Sequence, residues 1–531
     1  MKKLHILLIL FLLILVVSCG TETAPTTTDE APANAEVDPA VSDFAENEDD
    51  AANLDLALLP SLIVGNSYGI GEPIPGGAAD PFVAADFNLA TELPDGMETA
   101  VVEQHNFGQL TEEKARELAN QLGFTGPLYI QQIPAEFAPP EGEEGPTLYT
   151  AFSGQRILNI SDTGLTYEDR GVMVDYTKLL PFDEKAPLVE AQLKAWNLLN
   201  FPYLLHRFPT DDLAVYRLID GIPTQQNEFN ITMNDAGEIN YFDYHPLRLV
   251  DTLGRYPLQT AESAWQQLQT AEGRSQIRYQ IMPTLSNAPM PEFVNARTWA
   301  PLSEQGQELH LYLTPMVFKS TDGSDLYILL GDMALTGDNA EIAEIATHNA
   351  DVLHLWGTID RAEGSKNFVL AGWEKLDSME YLSLEGTITY EAGQAVLKTV
   401  DDKLFILAAA PTDIPEDIEV YVSGTGQRDT GADYPVLDWN IVNEKVTYPD
   451  VPMGMSEEEP AAIDGVTIQS VELVHFTMYR DPGDTHTDIS FLFVPVWKFD
   501  GETNSGQLVT FWVPAISQQY VQTPDLPDTS G

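Results

Sequence analysis

Side chains able to do chemistry are sparse and widely spaced along these 531 residues. The chain has one thiol, Cys19. A lone cysteine at the end of an apolar run leaves the rest of the chain without an internal disulfide, a thiolate metal site or a cysteine nucleophile. The histidines are scattered, and His348 and His354 lie six apart across an expected helix end. That spacing is poor for two ligands on one face, so surface or core histidine is the better reading. Two acidic loops, Asp322-Gly323-Ser324-Asp325 and Asp481 with Asp484 and Asp488, carry oxygens of the kind calcium takes. Neither has the twelve-residue loop with its closing glutamate, and hairpin-turn chemistry alone accounts for Asp and Gly there. Trp356, Trp373 and Trp439 can stack on a sugar ring, and their strand-like settings suit a core equally well. There is no H-E-x-x-H, nucleophile elbow or phosphate loop. Gly69-Ile70-Gly71 lacks the third glycine of a dinucleotide loop. The expectation is therefore no catalytic, cofactor-binding or metal-binding set, and a chain that is not an enzyme.

Charge narrows the partners. Against 26 Lys and Arg stand 82 Asp and Glu, a formal net charge of −56. Such a field repels nucleic acid, whose binding depends on Lys and Arg neutralising phosphates. It favours solubility and attracts cations or a basic partner. A salt-adapted exterior and a specific acidic binding face both fit it.

Residues 1–18 have the order of an export signal. Lys2 and Lys3 precede an apolar run, Leu4 to Val17, that is interrupted only by His5. The run is short for a permanent membrane helix, which needs about 20 apolar residues. Val16-Val17-Ser18-Cys19 resembles a bacterial lipobox. That resemblance implies cleavage before Cys19, a thioether lipid on Cys19, and a body anchored on the outer face of the cell membrane. An ordinary signal peptide with an incidental cysteine is the alternative. Residues 19–53 are Thr, Ala, Pro, Asp and Glu with few large apolar side chains, and read as a disordered acidic tether. As flexible coil it spans on the order of 30–35 Å.

From residue 54 the patterning becomes that of a folded body. Thr111 can cap a helix over 111–122, with Ala115, Leu118, Ala119 and Leu122 on one face. A second helix is expected over 187–199, with Pro187 in its first turn and Val189, Leu193 and Trp196 on one side. Leu213–Ile219 alternates like a strand, and Asp220-Gly221 suits a tight turn. A third helix, capped by Thr260, gathers Ala261, Ala264, Trp265 and Leu268.

The stretches Tyr216 to Pro223, Asn230 to Ile239 and Pro257 to Trp265 together resemble the PepSY-like domains of exported bacterial proteins. The membrane-tethered regulators called YycH and YycI look similar in using repeats of this kind. Ile468 to Val474 and Phe491 to Phe499 resemble the strands that close such regulators. The resemblance implies an α+β body over 54–282, closed by strands within 463–521, and a role in restraining a peptidase or a sensor kinase.

Between these parts lies an expected insertion. Gly357-Thr358 and Arg361 recur 67 residues later as Gly424-Thr425 and Arg428, and Trp373 recurs as Trp439 one residue off that offset. Five short strands per copy resemble OB-type barrels, one over 300–376 and one over 381–445, with 446–462 as a linker. One larger irregular sandwich is the alternative. The expected fold class is thus α+β, antiparallel sheets with packed helices, plus two small OB-like β-barrels. The expected function is that of a lipid-anchored, extracytoplasmic, non-enzymatic binding or regulatory protein that contacts another envelope or secreted protein. The alternative is a surface module binding glycan or another small ligand through the OB-like region.

Overall fold

A computed structural model describes residues 56–59, 80–107, 110–134, 148–162, 164–172, 174, 180–207, 213–244, 248–274, 277–281, 294–296, 305–361, 366–376, 380–391, 394–407, 418–426, 436–445, 463–480 and 490–522. Cys19, residues 19–53, Gly69 to Gly71, the Asp481 loop and the linker 446–462 lie outside the described residues.

The expected class is corrected. The chain is mostly β, with 21 strands in one mixed network and six in a second sheet, and is not a helix-packed α+β fold. The helices are few and short. The longest are α1, Glu112–Gln121, α2, Phe182–Ala195, and α3, Ala261–Leu268. Four strand pairs among the described residues are parallel: Asp86–Leu89 with 465–468, 334–336 with 367–369, 406–407 with 436–437, and the single pairing of His475 with Thr224. The misreading has a physical source. A helix shows its period within one window, whereas short strands declare themselves only through partners distant in sequence.

Two helices share one sheet. α1 starts where Thr111 accepts a hydrogen bond from the Lys114 amide at 3.2 Å, a cap that contributes on the order of 1 kcal/mol. It is followed by strands Leu128–Gln131, Tyr149–Ser153, Arg156–Ile160 and Leu165–Asp169. α2 is followed by Tyr203–Arg207, Leu213–Ile219, Ile222–Met233 and Ile239–Tyr244. The last strands of the two sets pair antiparallel, Tyr244 opposite Leu165, so two helix-plus-four-strand units meet back to back. Ala115, Leu118, Val189 and Leu193 enter one core with Phe229 and Phe242. α2 begins five residues before the expected start and holds Pro187 inside it. At Asp220 and Gly221, φ is +56° and +76°, which makes the tight turn expected there.

A second region is organised by two long antiparallel strands, Gly465–Arg480 and Ser490–Thr503. Leu508–Pro514 pairs with the latter, and Arg278–Ile281 with Leu508–Pro514 in turn. α3 lays Ala261, Ala264, Trp265 and Leu268 against Phe499 and Phe511. The other face packs Val474, Phe476, Val494 and Trp512 with Tyr256. This region meets the first sheet at His475, which lies opposite Thr224 in a single parallel pairing. His475 is fully buried, and its Nε2–H donates to the Val101 carbonyl at 2.8 Å.

Burial holds the His475 pKa below the usual imidazole range. The unfolded chain gains that proton as pH falls through about 6.5, and the folded chain does not. Stability is therefore present above that pH and falls below it, by up to about 1.4 kcal/mol per pH unit for one proton. Thermal unfolding followed from pH 7 to 5.5 should show a shallower loss in His475→Gln than in the parent. Equal slopes would remove His475 from the acid response.

The remaining strands form two rings, the first joined between its end strands by the chain at Thr314-Pro315 and the second closed by pairing. In the first, Met316–Ser320 pairs with Leu326–Leu330, which pairs with Met333–Thr336; that strand runs parallel to Asn367–Lys375. Asn367–Lys375 pairs with Leu353–Asp360, which returns to Glu308–Leu313. In the second, Glu380–Glu391, Gln394–Thr399, Leu404–Leu407, Val436–Glu444 and Glu419–Gly426 pair in that order, and the last returns to the first. Each ring has its own apolar filling, around Leu355 and Phe368 in one and around Leu397 and Phe405 in the other.

Candidate functional site

The first ring presents an outward face on three neighbouring strands. Period-two alternation sends Leu309 and Leu311 inward and leaves Glu308, His310 and Tyr312 outward. Likewise Leu353 and Leu355 face the core while His354 and Trp356 do not. Register then sets Tyr312 opposite His354, His354 opposite Glu374, His310 opposite Trp356, and Trp356 opposite Gly372.

Contacts across this face are tight. His310 Nδ1 lies 2.9 Å from His354 Nε2, and His354 Nδ1 lies 2.8 Å from Glu374 Oε1. The Tyr312 ring stacks on His354 with centroids 4.5 Å apart and planes 3° from parallel. Trp356 leans on the same imidazole at 5.1 Å. Gly372 permits this: a Cβ there would come within 2.4 Å of the Trp356 indole, so the missing side chain lets the ring lie over the strand. The result is an aromatic and imidazole surface edged by carboxylates, which offers π faces and hydrogen-bonding groups together.

The residues singled out by sequence fall in separate places. His348 does not join His354. Its Nδ1 is 2.8 Å from Asp351, whose other oxygen is 2.8 Å from Lys375 Nζ. Hydrogen bonds from Lys375 and His348 hold the Asp351 carboxyl below its usual pKa. Trp373 sits opposite Leu355 and against that ring's core, with His348 tilted on it at 5.2 Å. Trp439 lies opposite Gly424 in the second ring, so the two tryptophans do not hold equivalent registers. The Asp322 loop is a self-contained turn. Asp322 Oδ1 accepts from the Ser324 amide, the Ser324 hydroxyl and the Ser320 hydroxyl, which draws its pKa down to about 2. Asp325 accepts from the Tyr129 hydroxyl at 2.7 Å. These oxygens already serve the fold, as turn chemistry requires. Among the described residues, no group of three or more His, Cys, Asp or Glu is placed to hold a metal ion.

His310 and Glu374 were not singled out by sequence. The signal was the alternation Glu308-Leu309-His310-Leu311-Tyr312, but only strand register shows which outward residue meets which.

A separate hollow of about 460 Å³ opens between α2 and the first sheet. Tyr167, Asp169, Leu188, Trp196 and Glu238 are among its lining residues. Burial first, and the Asp169 charge second, push the Tyr167 hydroxyl up to about 12, so it stays a neutral donor there.

No protein-family model matches the chain. No curated protein matches it either. Among solved structures it is similar to the Bacillus megaterium YpeB C-terminal domain, over 51% of this chain and 99% of that one, at 10% identity and a TM-score of 0.21.

Proposed function

We propose that this chain is a lipid-anchored, extracytoplasmic, non-enzymatic binding or regulatory protein that contacts another envelope or secreted protein. One structural feature supports the protein-contact reading above others. The strand Arg248–Pro257 pairs with Thr99–Phe107 on one side, and its other side carries no strand among the described residues. Leu249 and Val250, which point to opposite faces of that strand, are 60% and 44% exposed. An apolar edge with free backbone groups is what an extended peptide adds to. A net charge of −56 favours a partner segment carrying Lys or Arg. Crosslinking of intact envelopes should recover a defined protein partner, and Leu249→Lys with Val250→Lys should lower its yield at least tenfold, on the order of the cost of losing an interface anchor. Repeated recovery of no protein, or equal recovery by the variant, would count against the reading.

The outward face of the first ring favours a second reading, a glycan laid on Tyr312 and Trp356 with Glu374 and the histidines taking its hydroxyls. Binding of the intact protein to a glycan panel, lost in Trp356→Ala, distinguishes it from the first. A panel without any hit removes it.

A further inference from the structure

We propose that the hollow between α2 and the first sheet is a binding site for an organic cation, a protonated amine carried on a short alkyl stem. Two sources have that chemistry: a lysine side chain presented by another protein, and a free polyamine. The inference does not rest on either reading above. Shape, lining and charge carry it.

The shape follows from how α2 is laid down. Val189 and Leu193 enter the core, which leaves Leu188, Gln192 and, just past the helix end, Trp196 in a row along the flank that borders the hollow. Ala191, beside that row, carries only a methyl and leaves the space unfilled. On the sheet side Gly237, with φ +83°, brings the turn 234–238 against the helix; a Cβ there would stand 2.6 Å from Leu188 Cδ1. Helix and turn therefore meet at Leu188, which with Gly237 lines a space of about 460 Å³. That lies within the roughly 300–1,000 Å³ of small-ligand sites.

The lining is aromatic on one side. The Tyr167 ring stacks on Phe242 with centroids 5.1 Å apart and planes 13° from parallel. Trp196 leans on both, 5.3 Å from Tyr167 and 5.6 Å from Phe242. Tyr167 and Trp196 line the hollow. Ring faces attract a cation within about 6 Å of the centroid, Trp most strongly. The Tyr167 hydroxyl stays protonated at neutral pH, so this wall adds no charge of its own. Leu188 and Ala191 offer the apolar surface that an alkyl stem needs.

Charge sets the sign of the ligand. Asp169 and Glu238 line the hollow, and among the described residues no Lys, Arg or His does. Each carboxylate is positioned by a neutral donor: Asp169 Oδ1 accepts from the Gly171 amide and Glu238 Oε2 from the Asn234 side-chain amide, both at 2.9 Å. Arg156 stands opposite Asp169 in the ladder, but its guanidinium donates to Ser153 Oγ at 2.8 Å and lies over the Phe124 ring. Its charge acts on the Tyr167 hydroxyl, so it offsets part of the field without lining the hollow. Two carboxylates beside aromatic faces suit an organic cation, whereas a hard metal ion takes about six or more oxygens.

The test is calorimetric titration of the full chain at physiological salt with 1,5-diaminopentane, with Nα-acetyl-lysine methylamide, and with Nα-acetyl-norleucine methylamide as the uncharged counterpart. One equivalent of amine should bind, and the norleucine compound at least about tenfold more weakly. Asp169→Asn and Glu238→Gln should each weaken amine binding roughly tenfold or more, the range for losing a hydrogen bond to a charged group. Ala191→Trp, at an exposed helix position, should fill the hollow and abolish binding. Glu184→Gln, exposed on the same helix and outside the hollow, removes an equal charge and should change affinity less than about twofold. Tighter binding of the blocked lysine assigns the site to a protein segment, tighter binding of the diamine assigns it to a polyamine, and either supports the proposal. No saturable binding, equal binding of the norleucine compound, or unchanged binding in Ala191→Trp with the fold intact would overturn it. So would equal losses in Glu184→Gln and Asp169→Asn, which would mean diffuse attraction to the acidic exterior.

Discussion

Gly386→Ala is expected to open the second ring, at a cost at or above about 3 kcal/mol, the upper end for forcing an extra carbon into a packed site. Gly386 lies where one strand serves both neighbours at once, opposite Val420 on one side and Thr399 on the other. A Cβ there would stand 2.1 Å from the Lys398 carbonyl oxygen and 2.9 Å from the Thr399 Cα. Both obstacles are backbone, and neither can swing aside as a side-chain tip would. Relief requires the two strands to separate at the point where the sheet bends to close. The chain is large, with several cores, so one global midpoint would blur a local effect. Hydrogen exchange on 380–426 is the better readout, and about 3 kcal/mol corresponds to a rise in opening of more than a hundredfold. Gly465→Ala is the control, since its Cβ meets nothing nearer than 3.7 Å, and should stay within about 0.5 kcal/mol of the parent. Equal protection in the two variants would show that this close approach does not hold the ring shut.

The first ring makes the same bend with different residues. There the chain breaks pairing between Leu313 and Met316, at Thr314-Pro315, and starts a new strand. Proline, lacking an amide proton, ends one ladder and glycine, lacking a Cβ, lets two ladders cross. Such a pair has no sequence identity to align, which explains why the recurrence visible in the sequence lies elsewhere. Gly357-Thr358 and Gly424-Thr425, 67 residues apart, each sit at a register shift in the strand that is next to last in chain order in its ring. Gly357 is needed there because a Cβ would fall 2.1 Å from the Val369 carbonyl oxygen. Steric necessity at one bulge left a trace that could be read, and equivalent strands free of that necessity left none.

Local rules carried the other legible parts. α1 and its Thr111 cap, and the Asp220-Gly221 turn, are fixed by residues within one turn of each other. The features that are not legible depend on pairing. Ile468 and Leu89 are neighbours in a parallel ladder, and nothing near either announces the other. Three helices are readable locally and the strand pairings are not, so the sequence reads as α+β while the chain is mostly β. The candidate site suffered in the same way. His348 and His354 are close in sequence, while the partner that His354 meets is His310, on another strand.

Cys19→Ala is expected to move the protein from the membrane fraction to the soluble one almost completely. No helix among the described residues is long and apolar enough to cross a membrane. In the proposal, the thioether lipid on Cys19 supplies the attachment. Each buried methylene contributes about 0.8 kcal/mol, one acyl chain holds a protein only marginally, and a second makes the attachment stable. Removing the sulfur removes every chain carried on it. Nothing electrostatic compensates, because a net charge of −56 is repelled by anionic headgroups. The folded body should not register the change, since the proposal places Cys19 at the end of a tether outside the fold. Hydrogen exchange over 80–522 should therefore match between the two forms even as their locations separate. The pairing of those two results matters more than either alone. Release with an unchanged fold assigns the anchor to Cys19, whereas release with a perturbed fold would reflect failed export or misfolding. Retention of Cys19→Ala through salt and alkaline washes would mean that another element binds the membrane, and the anchoring proposal would fall.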